Sequence, residues 1–343
     1  VTGGYGHDIQ AVLGYQGHTD WFAFRRFPYA TRVDYGIEVA TGKRSGRASF
    51  GITRQFENSN GFLELKSMAS GIEKVRWYGF GNESAPLTTR KDANFYRAGQ
   101  TELSATLRLG SRLGARSRFA IGPTVRWSET NLSDQENAKR FIGSDRPLGS
   151  GSFGLVGLAG ELLVEGRDQP KFATRGAALR VEAAGYPGLW DAVKPLGRVD
   201  VEGSLTLAPS GSWRPSINVM AGGSKTWGKV PFFVAPMLGG SHTLRGYRPD
   251  RFAGEAAVYG SAEARIPLTR LNFGVPGQQG IFGFTDVGRV YLKGETSEQW
   301  HGSYGGGVWF SFLSRSNVIL VGAGKPTKGS EGARLIVGFG FPY

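Results

Sequence analysis

The stretch RVDVEGSLTL, from Arg198 to Leu207, alternates between apolar and polar side chains. Val199, Val201, Leu205 and Leu207 share one face of such a strand, and Asp200, Glu202, Ser204 and Thr206 share the other. Successive side chains of a β-strand point to opposite faces, so the stretch predicts a strand with one apolar and one ionisable face. Two settings fit this pattern: a soluble sheet with its apolar face inward, and a membrane barrel with its apolar face outward.

The same alternation recurs along the whole chain and predicts about 16 strands, an even number in the range of outer-membrane barrels. The candidate strands lie near residues 7–16, 18–27, 33–41, 47–56, 61–78, 93–109, 117–129, 152–165, 174–185, 197–208, 214–227, 255–268, 280–292, 303–313, 317–325 and 333–343. Nothing remains for a separate soluble domain. The predicted fold is an all-β, transmembrane antiparallel β-barrel over residues 1–343, with a long connection near 228–254.

Three observations favour the barrel over a soluble sheet. The apolar faces are rich in Ala, Val, Leu and aromatic residues, and the polar faces in Gly, Ser, Arg and Glu. No amphipathic helical pattern is available to cover a sheet. Tryptophans stand at strand ends, as interfacial girdles require: Trp77, Trp127, Trp190, Trp213 and Trp227. A soluble propeller is the alternative, but the chain has no repeat of blade length.

Composition excludes several classes of protein. The 343 residues include no cysteine, so neither a disulfide framework nor a thiolate metal site is available. No run approaches the ~18 consecutive apolar residues of a membrane helix, so helical membrane spans are excluded. Membrane-spanning β-strands are not excluded, because they need only about 10 residues each and only alternate residues face lipid. The net charge of +13 raises nucleic acid as a partner, but the arginines are scattered along polar strand faces. We assign the charge to a basic lumen and to rims that meet anionic lipid, and expect no nucleic acid partner.

The long connection contains GGSHTLRGYRPDRF, from Gly239 to Phe252, a charged segment without an apolar run. The strands EAAVYGSAEARIPL and GIFGFTDVGRVYL follow it. Parity places Glu263 on the polar face of the first strand and Asp286 beside it on the second, so two carboxylates would project into the lumen. Arg245 of the loop could bridge them with charge-assisted hydrogen bonds.

Three motifs in this part of the chain resemble those of the BamA/TamA-type outer-membrane translocase superfamily, the bacterial surface antigen family. Leu244 to Tyr247 resembles the family's V/L-R-G-F/Y signature, Gly260 to Arg265 its G-x-x-E-x-R segment, and Phe284 to Gly288 its F/G-x-D-x-G motif. The resemblance implies that the long loop folds into the barrel and that its arginine contacts the acidic wall. The expected loop lock comprises Arg245, Gly246, Tyr247, Glu263, Asp286 and Gly288.

The resemblance also bears on domain organisation. Family members normally carry POTRA modules or another soluble domain upstream of the barrel, and none is visible in this sequence. The stretch WYGFGNES, from Trp77 to Ser84, resembles members whose barrels are fused to a phosphoesterase or patatin-like domain. The N-terminal residues show no signal-peptide pattern, so we expect a mature chain or one cut from a longer precursor.

The last strand, RLIVGFGFPY, ends on an aromatic residue, as terminal strands of bacterial outer-membrane proteins do. One lipid face is predicted to carry Leu335, Val337, Phe339, Phe341 and Tyr343. Gly338, Phe341 and Tyr343 fit the spacing of the C-terminal signal that the insertion machinery reads. Pro342 lacks a backbone donor, so the last rung of this strand cannot be fully hydrogen-bonded.

The resemblance implies insertion or translocation of polypeptide at the bacterial outer membrane. It also implies a mechanism in which a lateral seam between the strands near 7–16 and 333–343 opens and pairs with an incoming strand. The expected partners are outer-membrane lipid and lipopolysaccharide, and an unfolded polypeptide client or a fused passenger domain. We expect no enzymatic activity, cofactor or metal, because no catalytic motif is present and the four histidines are far apart.

Two alternatives stay open. The chain could be the membrane-anchoring or secretion barrel of a fused phosphoesterase or patatin-like hydrolase. It could also be a passive diffusion porin, which the loop motif disfavours.

Overall fold

One antiparallel sheet of 16 strands dominates the computed structural model, which describes residues 2–6, 10–41, 45–84, 93–132, 138–209, 215–272, 276–329 and 331–341. The strands are β1 (Thr2–Gly6), β2 (Gln10–Ala23), β3 (Arg26–Ala40), β4 (Ser45–Gln55), β5 (Gly61–Arg76), β6 (Arg97–Arg112), β7 (Arg118–Thr130), β8 (Gly151–Glu165), β9 (Gly176–Tyr186), β10 (Leu196–Leu207), β11 (Ser216–Trp227), β12 (Met237–Leu238), β13 (Phe252–Ala253), β14 (Ala256–Asn272), β15 (Pro276–Tyr291), β16 (His301–Phe312), β17 (Ser314–Pro326) and β18 (Arg334–Phe339). Each strand of the sheet pairs with its sequence neighbours, and β11 pairs with β14 across the small β12–β13 hairpin.

Helical structure is slight in the described residues. The α-helix α1 spans Phe141–Asp145, and two short 3₁₀ turns span Ala93–Tyr96 and Phe232–Val234. None of the described helices is both long enough and apolar enough to span a membrane.

The alternation read from the sequence becomes an apolar outer face and an ionisable inner face. On β14, Ala262 and Ala264 are exposed, whereas Ser261, Glu263 and Arg265 between them are buried. A soluble sheet has the opposite arrangement, with its apolar face enclosed. Exposed apolar and enclosed ionisable residues are typical of a membrane barrel. The predicted all-β class and the 16-strand antiparallel sheet are confirmed.

The sheet curves around an interior. Phe172, in the connection between β8 and β9, stacks on Phe341, which follows β18, with ring centroids 5.3 Å apart. Neighbouring strands lie about 4.8 Å apart, so the eight strands of the sheet between these points, β9–β11 and β14–β18, would separate them widely in a flat sheet. In the described residues no hydrogen-bonded ladder joins β1 to β18.

Connections alternate between two ends of the sheet. Long ones, such as residues 228–255 and 292–300, lie at one end, which we call the loop end. Short ones, such as residues 24–25 and 56–60, lie at the other, the turn end. This asymmetry is typical of outer-membrane barrels.

The first strands differ from the prediction. The candidates near 7–16 and 18–27 fall largely on the single strand β2, which runs through residue 17 and pairs His18 with Asp34 of β3. Gly17 followed by polar residues imitates a turn, because turns favour the same residue types. The glycine-rich β1 has no alternation and was not predicted. The first strand of the sheet is therefore β1, and the prediction that residues 7–16 form the first strand was wrong.

Candidate functional site

The connection from β11 to β14 enters the interior of the sheet. The β12–β13 hairpin forms its neck, where Leu238 pairs with Phe252. Gly239 and Gly240 follow with φ of +126° and +84°, a backbone region that glycine reaches without strain. Residues 239–252 form the tip of the loop, and Leu244 in this tip is fully buried.

Arg245 binds Asp286 of β15 through both its backbone and its side chain. The Arg245 N–H donates to Asp286 Oδ2 at 2.9 Å, and Nη2 donates to Asp286 Oδ1 at 2.7 Å. Nε lies 3.1 Å from Oδ2, completing a bidentate pair. Ser261 and Ser303 hold the carboxylate from the neighbouring strands, with Oγ atoms 2.7 and 3.1 Å from it. Arg245 and Asp286 are 4% and 2% exposed.

Glu263 of β14 joins Arg245 to a second buried arginine. Nη1 of Arg245 donates to Glu263 Oε2, and Nε of Arg265 donates to Glu263 Oε1 at 2.7 Å. The Arg245 guanidinium also lies over the ring of Phe284, 3.6 Å from its centroid, in cation–π geometry. We call Arg245, Glu263, Asp286 and their serine partners the loop anchor.

The neighbouring motif residues lie where backbone and wall approach each other. A Cβ on Gly246 would come 2.6 Å from the backbone carbon of Lys325, so only glycine fits against β17. Tyr247 packs its ring 5.3 Å from that of Phe252, and burial raises its pKa to about 12. Gly288 faces Leu238 of the loop neck, where a Cβ would stand 3.1 Å from the Leu238 Cδ1. The structure thus brings all six residues of the expected loop lock to one region.

A second set of contacts joins the loop to other connections at the loop end. Asn82, which is 0% exposed, accepts a hydrogen bond from the Val290 N–H and donates Nδ2 to the Gln299 carbonyl at 2.7 Å. Its backbone N–H donates to the carboxylate of Glu295 at 2.8 Å. Arg251, in the loop tip, donates Nη1 to Ser84 Oγ at 2.6 Å. The segment from Trp77 to Ser84 therefore packs against the loop and the β15–β16 connection.

The C-terminal residues depart from the predicted lipid face. Leu335, Val337 and Phe339 are exposed on the outer face of β18, as expected. Phe341 is buried at 7% exposure and packs inside the sheet, so its assignment to the outer face was wrong. Gly340 has φ +91°, which reverses the alternation at that residue. Gly338 lies on the inner face of β18, and Tyr343 lies outside the described residues; their part in a C-terminal signal stays a prediction.

Several residues of this region were not singled out from the sequence. Arg265, Phe172 and Asn82 make buried contacts: Arg265 contacts Glu263, two residues away on the same strand, whereas Phe172 and Asn82 contact residues far away in the chain. Parity already placed Arg265 beside Glu263, which is the only one of these contacts that local sequence could indicate. In the described part of the chain, no three His, Asp or Glu side chains are grouped to hold a metal ion.

An inward loop fixed by buried ion pairs within a 16-strand sheet with an apolar exterior defines a class of outer-membrane β-barrel. The sequence matches the model of the Omp85 superfamily domain over residues 29–319, and the chain belongs to this superfamily. Comparison with curated proteins finds no match.

Solved structures similar to this chain share its fold. BamA from Haemophilus ducreyi lacking POTRA domains 1–3 superposes with a TM-score of 0.66 at 14% identity, covering 97% of this chain and 67% of that chain. CdiB from Escherichia coli gives 0.58 at 14% identity, covering 97% and 59%. CdiB from Acinetobacter baumannii gives 0.56 at 11% identity, covering 96% and 56%. This chain therefore spans less than two thirds of either CdiB.

Proposed function

We propose that this protein inserts or translocates polypeptides at the bacterial outer membrane, with residues 1–343 acting as the barrel module. The observation that carries the proposal is the loop anchor. This loop is tied to the wall by two carboxylates and a guanidinium that are almost fully buried, in the motifs that resemble those of the outer-membrane translocase superfamily. Family membership supports an outer-membrane location.

The two end strands supply a route for the polypeptide. In the described residues, β1 pairs only with β2 and β18 only with β17, so each has one edge outside the ladder. Such edges are templates for an added strand, and unpaired backbone groups are very costly in lipid. A client strand that pairs there would satisfy these groups. The client is an unfolded polypeptide, and the outer surface meets membrane lipid and lipopolysaccharide.

A disulfide across the seam tests the lateral route. Cysteines are introduced in pairs, one in β1 and one in β18. Because the chain has no cysteine of its own, the introduced pair is the only source of a disulfide. The protein is reconstituted in phospholipid vesicles and presented with a urea-unfolded β-barrel protein, whose insertion is followed by heat-modifiable migration. We expect oxidation to block insertion and reductant to restore it. Full insertion with the crosslink complete would overturn the lateral route.

The alternative of a membrane-anchoring barrel for a fused hydrolase predicts a different result. Vesicles containing the uncrosslinked protein would then insert the unfolded client no faster than empty vesicles. The packing of Trp77–Ser84 against the loop is compatible with either function, because it ties connections of this chain to one another.

A further inference from the structure

The β8–β9 connection at the turn end, residues 166–175, is longer than the neighbouring turns and is internally braced. Asp168 accepts hydrogen bonds from the backbone N–H groups of Gln169 at 3.0 Å and Thr174 at 2.8 Å, and from Thr174 Oγ1 at 2.6 Å. Arg116 of the β6–β7 turn donates to the carbonyl of Arg167. These bonds give the tip of the connection a defined shape.

This tip meets the end of β18 on the inside of the sheet. Phe172 is buried, stacks on Phe341 and packs edge-to-face on Trp309 of β16 at 4.9 Å. The Phe341 N–H donates to the carbonyl of Lys171 at 3.2 Å. The Gly340 N–H still donates to Val318 of β17, so the chain leaves the sheet at this residue and continues on the β8–β9 tip.

The loop anchor reaches the same place through Arg265. Its guanidinium lies 3.8 Å from the centroid of the Phe341 ring, while its Nε donates to Glu263. Glu263 also accepts from Arg245 of the loop. One carboxylate thus holds two arginines, of which one fixes the loop tip and the other covers the end of the last strand. Both arginines are almost fully buried, so an arginine that loses the Glu263 carboxylate keeps a buried charge that is less well compensated.

We propose that the β8–β9 tip is an internal latch that holds the end of β18 inside the barrel, and that Glu263 couples this latch to the loop anchor. Lys171 and Phe172 form the latch, and Arg265 is a positioning residue between it and the anchor. The importance of this latch for opening the seam rests on the proposed function, but the latch itself does not.

Intramolecular crosslinking measures the closed latch without any client. An ideal Cβ on Gly340 would stand 3.8 Å from the Lys171 Cβ, a separation at which disulfides form. The double variant Lys171→Cys/Gly340→Cys is oxidised in outer-membrane vesicles, and its remaining thiols are counted with a polymer-tagged maleimide after denaturation. We expect rapid and nearly complete disulfide formation. No disulfide in a correctly folded, heat-modifiable barrel would overturn the proposal.

Further substitutions in this background separate the latch from the coupling. Phe172→Ala removes the stacked ring, and we expect the crosslinking rate to fall about tenfold, in keeping with the loss of an aromatic pair. Phe119→Ala, on the outer face of β7, is the matched control and leaves the rate unchanged. Equal rates for Phe172→Ala and the parent would overturn the latch.

The coupling predicts that Arg245→Ala also slows the crosslink, although Arg245 does not touch Lys171 or Gly340. Arg32→Ala, which removes an arginine paired with Asp20 on β2, is its control. A rate unaffected by Arg245→Ala would overturn the coupling. Because Gly340→Cys introduces a side chain at positive φ, amide hydrogen exchange at Phe341 in Phe172→Ala with Gly340 retained gives an independent measurement. We expect faster exchange there, and unchanged exchange would again overturn the latch.

Discussion

At the scale of single residues, the loop anchor depends on the shape of one guanidinium. Arg245 engages Asp286 in a bidentate pair and Glu263 at the same time, which the planar fork of arginine allows and the point charge of lysine does not. Ser261 and Ser303 also donate hydrogen bonds to the Asp286 carboxylate, one to each oxygen. The position therefore distinguishes arginine from lysine although both are cations.

Arg245→Lys is expected to loosen the loop tip, and Arg245→Ala to loosen it more. Removing one partner of a buried pair costs on the order of 3–5 kcal/mol, because Glu263 and Asp286 are left facing each other. Protease cleavage within residues 240–252, in intact outer membranes, reports the change. Arg248→Ala, a half-buried arginine of the same tip, serves as the control. Cleavage that is the same in the parent and Arg245→Ala would contradict the anchoring role.

Residue parity accounts for what could be predicted here. Glu263 and Asp286 were placed on one face of adjacent strands because alternation has a period of two, and the structure has them there. Phe341 was misplaced because the same period was continued past Gly340, where a positive φ ends it. Phe172 and Asn82 could not be found from the sequence, because their contacts depend on which connections the curvature of the sheet brings together.

At the scale of elements, the connections of the loop end depend on Asn82. Its side chain bonds the backbone of β15 and the connection that follows, and its own backbone bonds Glu295. An aspartate at this position would keep the acceptor but lose the donated bond to Gln299 and face Glu295.

We expect Asn82→Asp to expose the β15–β16 connection, residues 292–300, to faster amide hydrogen exchange. A buried polar group that loses its partner costs about 1–3 kcal/mol, and two nearby carboxylates add repulsion. Asn131→Asp, in another connection of the loop end, is a comparison at a second asparagine. Exchange in residues 292–300 that matches the parent would show that Asn82 does not brace this connection.

The β8–β9 tip is expected to respond to acid. Burial opposes ionisation of Asp168, but the hydrogen bonds from Thr174 and the backbone N–H groups outweigh it and lower the pKa of this carboxyl. A lowered folded-state pKa gives stability that is present above the pKa of an ordinary aspartate and is lost as the pH falls through the folded value.

Exchange protection of the Thr174 and Arg175 amides should therefore hold at neutral pH and disappear only in acid. Asp168→Asn is expected to lose this protection already at neutral pH, because a neutral amide accepts the same bonds more weakly. Glu182→Gln, on β9 in an exposed pair with Arg180, is the matched control. Protection in Asp168→Asn equal to that in the parent would show that the Asp168 carboxylate does not stabilise this tip.

At the scale of the whole molecule, alternation with a period of two predicted the strands and their two faces. The composition of those faces, the lack of amphipathic helical patterns and the tryptophans at strand ends then favoured a barrel over a soluble sheet. The strand count agreed with the structure partly because a false break within β2 offset the missed β1. Glycine-rich edge strands carry little pattern, so the first edge of the sheet was the least predictable part.

The intact protein is expected to be extracted only by detergent, to give a β-rich circular dichroism spectrum and to migrate differently on gels before and after boiling. A large sheet whose backbone bonds are internal except at the outer edges of β1 and β18 is expected to resist unfolding by detergent at room temperature but not at high temperature. A predominantly helical spectrum, or identical migration with and without boiling, would contradict the fold.

The meeting of Phe172 with Phe341 has a consequence for the order in which the chain acquires its structure. These rings belong to segments separated by eight strands of the sheet, and contacts between distant segments form late because the intervening chain must first be ordered. The hairpins can assemble one after another from the N-terminal side, yet the interior stays incomplete until β18 has arrived. Arrival of the last strand therefore completes the packing of Phe341 on the β8–β9 tip, and a pause before that step would leave this tip open to water and to proteases.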